Sequence, residues 1–377
     1  MRTGLGVDPA HGAVVPPIYL STNYTFEGPA TPRQYDYSRS GNPTRDQLND
    51  ALATLEGGVG ATALATGLAA FTLVVEALVP VGGRVLAQHD CYGGTWRLLV
   101  FLAEQGRFAV DFVDFNDADA FAAAVDRRPD LVLVETPSNP LLRITDIRAT
   151  ADAAHAVGAL VAVDNTFLSP LLQRPLEFGA DLVLHSTTKF LNGHSDVVGG
   201  AVVAADPELH ERLRLWANAL GLTGSPFDAY LTLRGLRTLD ARLRVHAENT
   251  AALVPVLRDH PAVARVHYPG LADHPGHALA VRQQLGMGSL VSFELAGGAP
   301  AVDAFLDGRQ VFHLAESLGG IESLVCVPAT MTHAGMTPEA RAEAGIGDAL
   351  IRMSVGIEAA ADLVAVVTEA LDRATAP

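Results

Sequence analysis

The chain has 377 residues, 49% hydrophobic and 18% charged, a balance that supports a large buried core and excludes a disordered protein. Its 26 basic and 42 acidic residues give a formal net charge of −16, and no Lys/Arg run breaks that acidity, so a nucleic-acid partner is excluded. The two cysteines, Cys91 and Cys326, are too few for a disulfide framework and wrongly spaced for zinc, so no metal is expected.

Taken in chain order, residues 1–45 are rich in Pro, Gly and polar groups and read as an extended arm. The opening Met1-Arg2-Thr3-Gly4 lacks a secretory apolar segment, and no apolar run is long enough to span a bilayer; a cytoplasmic protein with no membrane partner is expected. Residues 46–235 alternate helical and β-branched stretches. Helical segments are predicted at Leu68–Val79, Trp96–Gln105 and Ile147–Val157. Strands are predicted at Arg84–Gln88, Val110–Asp114, Leu131–Thr136, Leu160–Asn165, Leu182–Thr187 and Ala201–Ala204. Continuously apolar strands separated by helices imply an α/β fold with a mostly parallel sheet covered on both faces. Helical periodicity from Ser225 to Asp259 leads into a smaller α/β C-terminal domain, residues 236–377. There Ser289–Leu295, Val311–Leu314 and Ile351–Val355 read as strands of a second sheet. No internal repeat is visible.

The richest segment is His185-Ser186-Thr187-Thr188-Lys189-Phe190-Leu191-Asn192-Gly193-His194. An apolar strand, Asp181-Leu182-Val183-Leu184, opens here onto hydroxyl residues suited to a phosphate and onto one amine. A lysine near apolar surroundings loses charge preference, and a neutral amine condenses with carbonyls. In an open parallel sheet ligands bind beyond the carboxyl ends of the strands. Asp164, Asn139 and Lys189 each follow such a strand. Asp164 and Lys189 could form a plain buried salt bridge. The functional alternative is pyridoxal phosphate, whose pyridine nitrogen needs a carboxylate beside it. Its phosphate would find donors at Gly67 and Leu68, at the start of a helix, and at Ser186 and Thr188. Tyr92, in the turn Cys91-Tyr92-Gly93-Gly94-Thr95, could stack on the ring.

Further segments extend the pattern: Tyr37-Ser38-Arg39-Ser40-Gly41-Asn42-Pro43-Thr44, Glu135-Thr136-Pro137-Ser138-Asn139-Pro140, Val163-Asp164-Asn165-Thr166-Phe167, Ala315 to Leu324 and Leu350 to Glu358. With them the chain resembles, over nearly its whole length, the Cys/Met-metabolism family of pyridoxal-phosphate enzymes. The resemblance implies a fold-type I transferase of the aspartate-aminotransferase-like kind, assembled as a homotetramer of two catalytic dimers. It implies that Lys189 carries the cofactor and moves protons, with Asp164 under the ring, Thr166 and Ser186 orienting it, and Tyr92 as a proton carrier if the cofactor and nearby cations lower its pKa. Tyr37 and Arg39 would cross to a neighbour's cofactor phosphate. Arg352, supported by Ser317 and Asn139, would grip the substrate α-carboxylate, a structural ion pair being its competitor.

The implied reaction is replacement of the γ-substituent of an activated homoserine ester, O-succinyl or O-acetyl, by cysteine. γ-Elimination from cystathionine and sulfhydrylation of the ester are the alternatives. Ser40 stands where the replacing enzymes carry a second arginine, leaving Arg97 as a distal cation and Glu316 as a partner for a distal ammonium. His185, His194, His333 and Cys91 are expected to be structural. A nicotinamide dehydrogenase is disfavoured, because no Gly-x-Gly-x-x-Gly follows the early strands.

Overall fold

The computed structural model describes residue 8 and residues 10–308 and 311–375. Up to Asn42 the described chain has no helix or strand, only isolated bridges such as Asn23 with Tyr37. It is held by side chains rather than by a ladder. The fully buried Asn42 donates to Tyr19 O (3.0 Å), Tyr24 Oη (3.2 Å) and Ser38 Oγ (3.1 Å). Its own oxygen caps helix α1 (Pro43–Glu56) by accepting the N–H groups of Thr44 and Arg45, which satisfies donors that a helix start otherwise leaves open.

Seven strands follow: β1 (Gly60–Leu64), β2 (Gly83–Gln88), β3 (Phe108–Val113), β4 (Leu131–Glu135), β5 (Leu160–Asp164), β6 (Leu182–His185) and β7 (Gly200–Ala204). They form one sheet in the order β1-β7-β6-β5-β4-β2-β3. β2 to β6 run parallel, and β7 lies antiparallel to both β1 and β6. Each parallel strand is apolar on both faces because both faces are covered. In β6, Leu182 and Leu184 enter one cluster with Leu73 and Val74 of helix α2 (Gly67–Leu78), while Val183 enters another with Leu48 and Leu52 of α1. Helix α3 (Gly93–Glu104) follows β2.

A second sheet comprises β8 (Val263–His267), β9 (Leu290–Leu295), β10 (His313–Leu314), β11 (Leu324–Cys326) and β12 (Leu350–Ser354), in the order β10-β11-β12-β9-β8. Phe293, Ile351 and Met353 pack there against Leu253 and Leu257 of the helix Leu239–Asp259 and against Leu363 and Leu371 of the helix Ala360–Ala374. The predicted elements recur with ends shifted by three residues or fewer, except that the helical stretch from Ser225 to Asp259 divides into two helices, Pro226–Leu236 and Leu239–Asp259. Three strands escape sequence reading. β1, Gly-Ala-Thr-Ala-Leu, is built of small residues with little strand preference and is fixed by its antiparallel pairing to β7. β11 has three residues, and β8 alternates apolar with charged side chains at a sheet edge. The lysine-bearing strand stops at His185, short of the predicted Thr187, because the chain turns so that Lys189 N donates to Ser186 O (3.2 Å).

The register is what builds the site. Glu135 pairs with Asp164, and Asp164 with Leu184, so the loops leaving β4, β5 and β6 emerge side by side. Leu182 is completely enclosed at the centre of this arrangement. Leu182→Ala should cost about 2–5 kcal/mol of stability through lost burial and a residual cavity, read as a lowered unfolding midpoint; an unchanged midpoint would mean the sheet centre is loosely packed.

Candidate active site

Lys189 is half-buried, and its Nζ donates to Ser317 Oγ at 2.7 Å. Burial, and then the Arg352 guanidinium, push its pKa down to about 8, with Glu316 and Asp164 pulling the other way. A substantial neutral fraction therefore exists near neutral pH, which an amine needs in order to attack a carbonyl. Ser317 holds a φ of +93°, a conformation that costs a non-glycine residue about 1–3 kcal/mol and persists only where its surroundings enforce it. Here its hydroxyl meets Lys189 while its carbonyl accepts Arg352 Nη2 at 3.0 Å.

Arg352 is 2% exposed. It lies in the middle of β12, and its Nη1 donates to Asn139 Oδ1 at 2.8 Å across to the loop after β4. Its Nε is buried with no hydrogen-bond acceptor. No carboxylate pairs with it among the described residues, so the structural ion pair considered from the sequence is absent. A buried guanidinium with an unanswered donor fits an incoming carboxylate.

Asp164 takes both the N–H (2.9 Å) and the hydroxyl of Thr166. The same hydroxyl accepts Ser186 N–H at 2.9 Å, so Asp164, Thr166 and Ser186 are linked in series. Burial raises the Asp164 pKa, opposed by those two Thr166 bonds and by the His185 and Lys189 charges. A carboxyl in this state gains from a cationic N–H placed beside it. Ser186 also faces α2. A Cβ on Gly67 would sit 2.8 Å from Ser186 Cβ and 2.9 Å from its Oγ, so only glycine lets the helix start approach this closely. Thr66 Oγ1 caps α2 by accepting Ala69 N–H (2.9 Å), leaving the N–H groups of Gly67 and Leu68 without intrahelical acceptors. Gly67, Leu68 and Ser186 thus form a cradle fitted to a phosphate. Thr188 is less suited to bind phosphate, because its hydroxyl proton is committed to Gly199 O (3.2 Å) while its oxygen accepts Gly199 N–H (3.0 Å).

Tyr92 begins α3, with its N–H on Glu135 Oε2 at 2.9 Å and its ring meeting the edge of His333 at 6.5 Å. The two glycines after it are dictated by contact. A Cβ on Gly93 would be 2.5 Å from Thr332 O, and one on Gly94 would be 2.4 Å from Tyr92 Cε1. Of the two causes expected to lower the phenol pKa, the cofactor and nearby cations, the protein's own cations are outweighed. Burial and then Glu316 raise it, outweighing Arg97 and Arg352; the hydroxyl is held in its protonated form. Glu316 and Arg97 are exposed, and both act on this phenol. Arg97 Nη1 lies 3.4 Å from where a Cβ on Gly335 would stand.

Tyr37 and Arg39 are exposed on the arm. Arg39 lies 5.5 Å over the Tyr37 ring and donates to Asn218 Oδ1 at 2.8 Å; within this chain neither contacts Lys189, Asp164 or Ser186. His185, His194 and His333 each make a hydrogen bond away from Lys189, His194 through Nδ1 to Asn192 O at 2.7 Å. His185 Nε2 meets Glu56 at 2.6 Å, and His333 Nε2 meets Asn139 O at 2.9 Å. Burial pushes His333 down to about 3. Cys91 is buried, with its thiol pKa raised by burial. Among the described residues no cluster of His, Cys, Asp or Glu could hold a metal, and no helix is long and apolar enough to cross a membrane. Sequence reasoning assigned no role to Glu135, although the motif containing it was recognised. Its buried side chain accepts Tyr92 N–H on one oxygen and Asn139 N–H on the other (2.8 Å).

In protein stripped of cofactor, acylation of Lys189 by a small anhydride, followed by peptide mass spectrometry across pH, should rise with a midpoint near 8. A midpoint at the ordinary lysine value of about 10.4 would show that the amine is solvated and the enclosure described here is wrong.

Comparison with known proteins gives this geometry a lineage. The family described as Cys/Met metabolism PLP-dependent enzyme matches residues 1–372. Cystathionine gamma-synthase of Escherichia coli is 53% identical over 97% of this chain and 95% of its own length. Cystathionine gamma-lyase of Dictyostelium discoideum is 44% identical over 99% and 96%. A crystal structure of cystathionine gamma synthase from Xanthomonas oryzae pv. oryzae in complex with cystathionine superposes with a TM-score of 0.98 at 62% identity, covering 99% of this chain and 96% of that one. The fold is that of the fold-type I enzymes. The strand-end lysine and carboxylate, the glycine-built cradle and the buried guanidinium therefore belong to a Cys/Met-metabolism pyridoxal-phosphate enzyme, and this chain is a member of that family.

Proposed function

We propose that the protein catalyses γ-replacement, joining cysteine sulfur to the γ-carbon of an activated homoserine ester to give cystathionine. The observation that carries this reading is the meeting of Lys189 Nζ and Arg352 at the single residue Ser317: an amine able to move a proton lies beside a guanidinium able to hold an amino acid's carboxylate. The full-length similarity to cystathionine gamma-synthases supports the choice of reaction.

When bound, pyridoxal phosphate supplies a carbonyl for amines and an electron sink for charge developing at Cα. Lys189 would hold it and then, as a free amine, take and return protons at Cα and Cβ. Asp164, fixed by Thr166, would keep the ring nitrogen protonated. Gly67, Leu68 and Ser186 would cradle the phosphate, with Thr188 tightening the loop through Gly199. Tyr92 would lie against the ring and, held protonated, donate toward the departing group. Arg352 would turn its unanswered Nε on the α-carboxylate, with Asn139 and Ser317 keeping the fork in plane. Glu316 would receive the ammonium of the incoming cysteine, and Arg97 would face a distal anionic group.

Tyr37 and Arg39, exposed and remote from their own cradle, suit the phosphate site of a second copy. A homotetramer of two catalytic dimers, with residues 1–45 as the exchanged arm, 46–235 binding cofactor and 236–377 closing over substrate, is the assembly we favour. A cytoplasmic location agrees with this metabolic role. γ-Elimination from cystathionine is the second reading, favoured by Ser40 and by the 44% identity to a cystathionine gamma-lyase.

Incubating the purified holoenzyme with O-succinyl- or O-acetylhomoserine plus cysteine should yield cystathionine. Release of 2-oxobutanoate from cystathionine, with no cystathionine formed from ester and cysteine, would reverse the assignment. Lys189→Ala should reduce turnover to background. Arg352→Lys, which replaces a planar fork with a point charge, should raise the ester KM about tenfold or more; an unchanged KM would remove Arg352 from the carboxylate site.

A further inference from the structure

Glu135 ends β4 in direct register with Asp164 at the end of β5. Two carboxyl groups on adjacent strand ends in a buried setting are an expensive arrangement. The two oxygens of Glu135 each take one backbone N–H, which the single acceptor oxygen of a glutamine amide could not do.

The bonds Glu135 makes close a circuit around the substrate side of the site. Its Oε1 accepts Asn139 N–H at 2.8 Å, and Asn139 O accepts His333 Nε2 at 2.9 Å. The His333 ring meets the Tyr92 ring edge-on at 6.5 Å, and Tyr92 N–H returns to Glu135 Oε2 at 2.9 Å. From this circuit Asn139 Oδ1 reaches out to Arg352 Nη1 at 2.8 Å. We propose that Glu135 is a positioning residue for amino-acid binding: by pinning the backbone at Asn139 and Tyr92 together, it sets the plane in which Arg352 presents its free edge to the substrate carboxylate. The inference rests on the assignment of Arg352 as the carboxylate clamp.

The test uses holoenzyme and L-norleucine, which carries the α-carboxylate but no leaving group. Its dissociation constant is read from the cofactor absorbance. Glu135→Gln keeps the shape, but its amide can accept only one of the two N–H groups. Losing one such bond should weaken norleucine binding about tenfold, with cofactor content and unfolding midpoint near wild type. Because the effect passes through Asn139, the double variant E135Q/N139A should bind no worse than N139A alone. Wild-type affinity in E135Q, or losses that multiply in the double variant, would overturn the proposal and leave Glu135 a structural residue. Should E135Q fail to fold, Glu135→Asp, which keeps the charge but shortens the reach, is read by the same cycle. Norleucine binding is independent of γ-chemistry. A wild type that binds it but forms no cystathionine would therefore sink the functional reading alone.

Discussion

The structure turns on Ser317. One residue, in a backbone conformation that side chains avoid, gives its hydroxyl to Lys189 and its carbonyl to Arg352. Lys189 stands at the end of a strand in the seven-stranded sheet and Arg352 in the five-stranded one, so this contact sets the relation between the two halves where the chemistry would occur. The neighbourhood enforces the strain. Gly319, two residues on, has a φ of +72°, donates its N–H to Ser354 Oγ at 2.9 Å and packs so closely on Phe190 that a Cβ would lie 2.8 Å from its N. Backbone strain held this firmly is a way of storing geometry for a reaction rather than for stability.

Around that contact, burial moves the pKa values of the two key ionisable groups in opposite directions. It favours the neutral amine of Lys189 and the neutral acid of Asp164. The first effect suits an amine that must act as nucleophile and base. The second means that Asp164 gains from a protonated ring nitrogen placed beside it, so that cofactor binding and Asp164 ionisation would reinforce one another. Thr166 prepares this by already giving Asp164 two hydrogen bonds, one from its N–H and one from its hydroxyl.

Much of this was legible in the sequence, for identifiable reasons. Strands buried on both faces leave continuous apolar runs, so β4, β5 and β6 announced themselves, and with them Asp164, Asn139 and Lys189 at their ends. Gly67 and Ser186 were legible as phosphate donors, but that only glycine permits their approach is a matter of packing. What was not legible depended on partners distant in sequence. β1 has no strand signature apart from its pairing with β7. The phenol of Tyr92 was expected to be acidified by the cofactor and nearby cations; of the protein's own charges, Glu316, 224 positions later, acts on it more strongly than either arginine. Glu135 was invisible as an individual because its role consists of two backbone bonds, and backbone donors carry no residue identity.

The charges at the mouth bear on the choice of substrate. Tyr92 reports the field there, and among the charged groups acting on it Glu316 comes first, ahead of Arg97 and Arg352. Arg352 is also occupied on two sides, by Asn139 and Ser317, and is committed to the proximal carboxylate in the proposed scheme. Arg97 and Glu316 are both exposed at the surface, where solvent screens them alike. Of the charges acting on the Tyr92 phenol, the strongest is therefore a carboxylate rather than a cation. A carboxylate in that position agrees with the role proposed for Glu316, receiving the ammonium of the incoming cysteine.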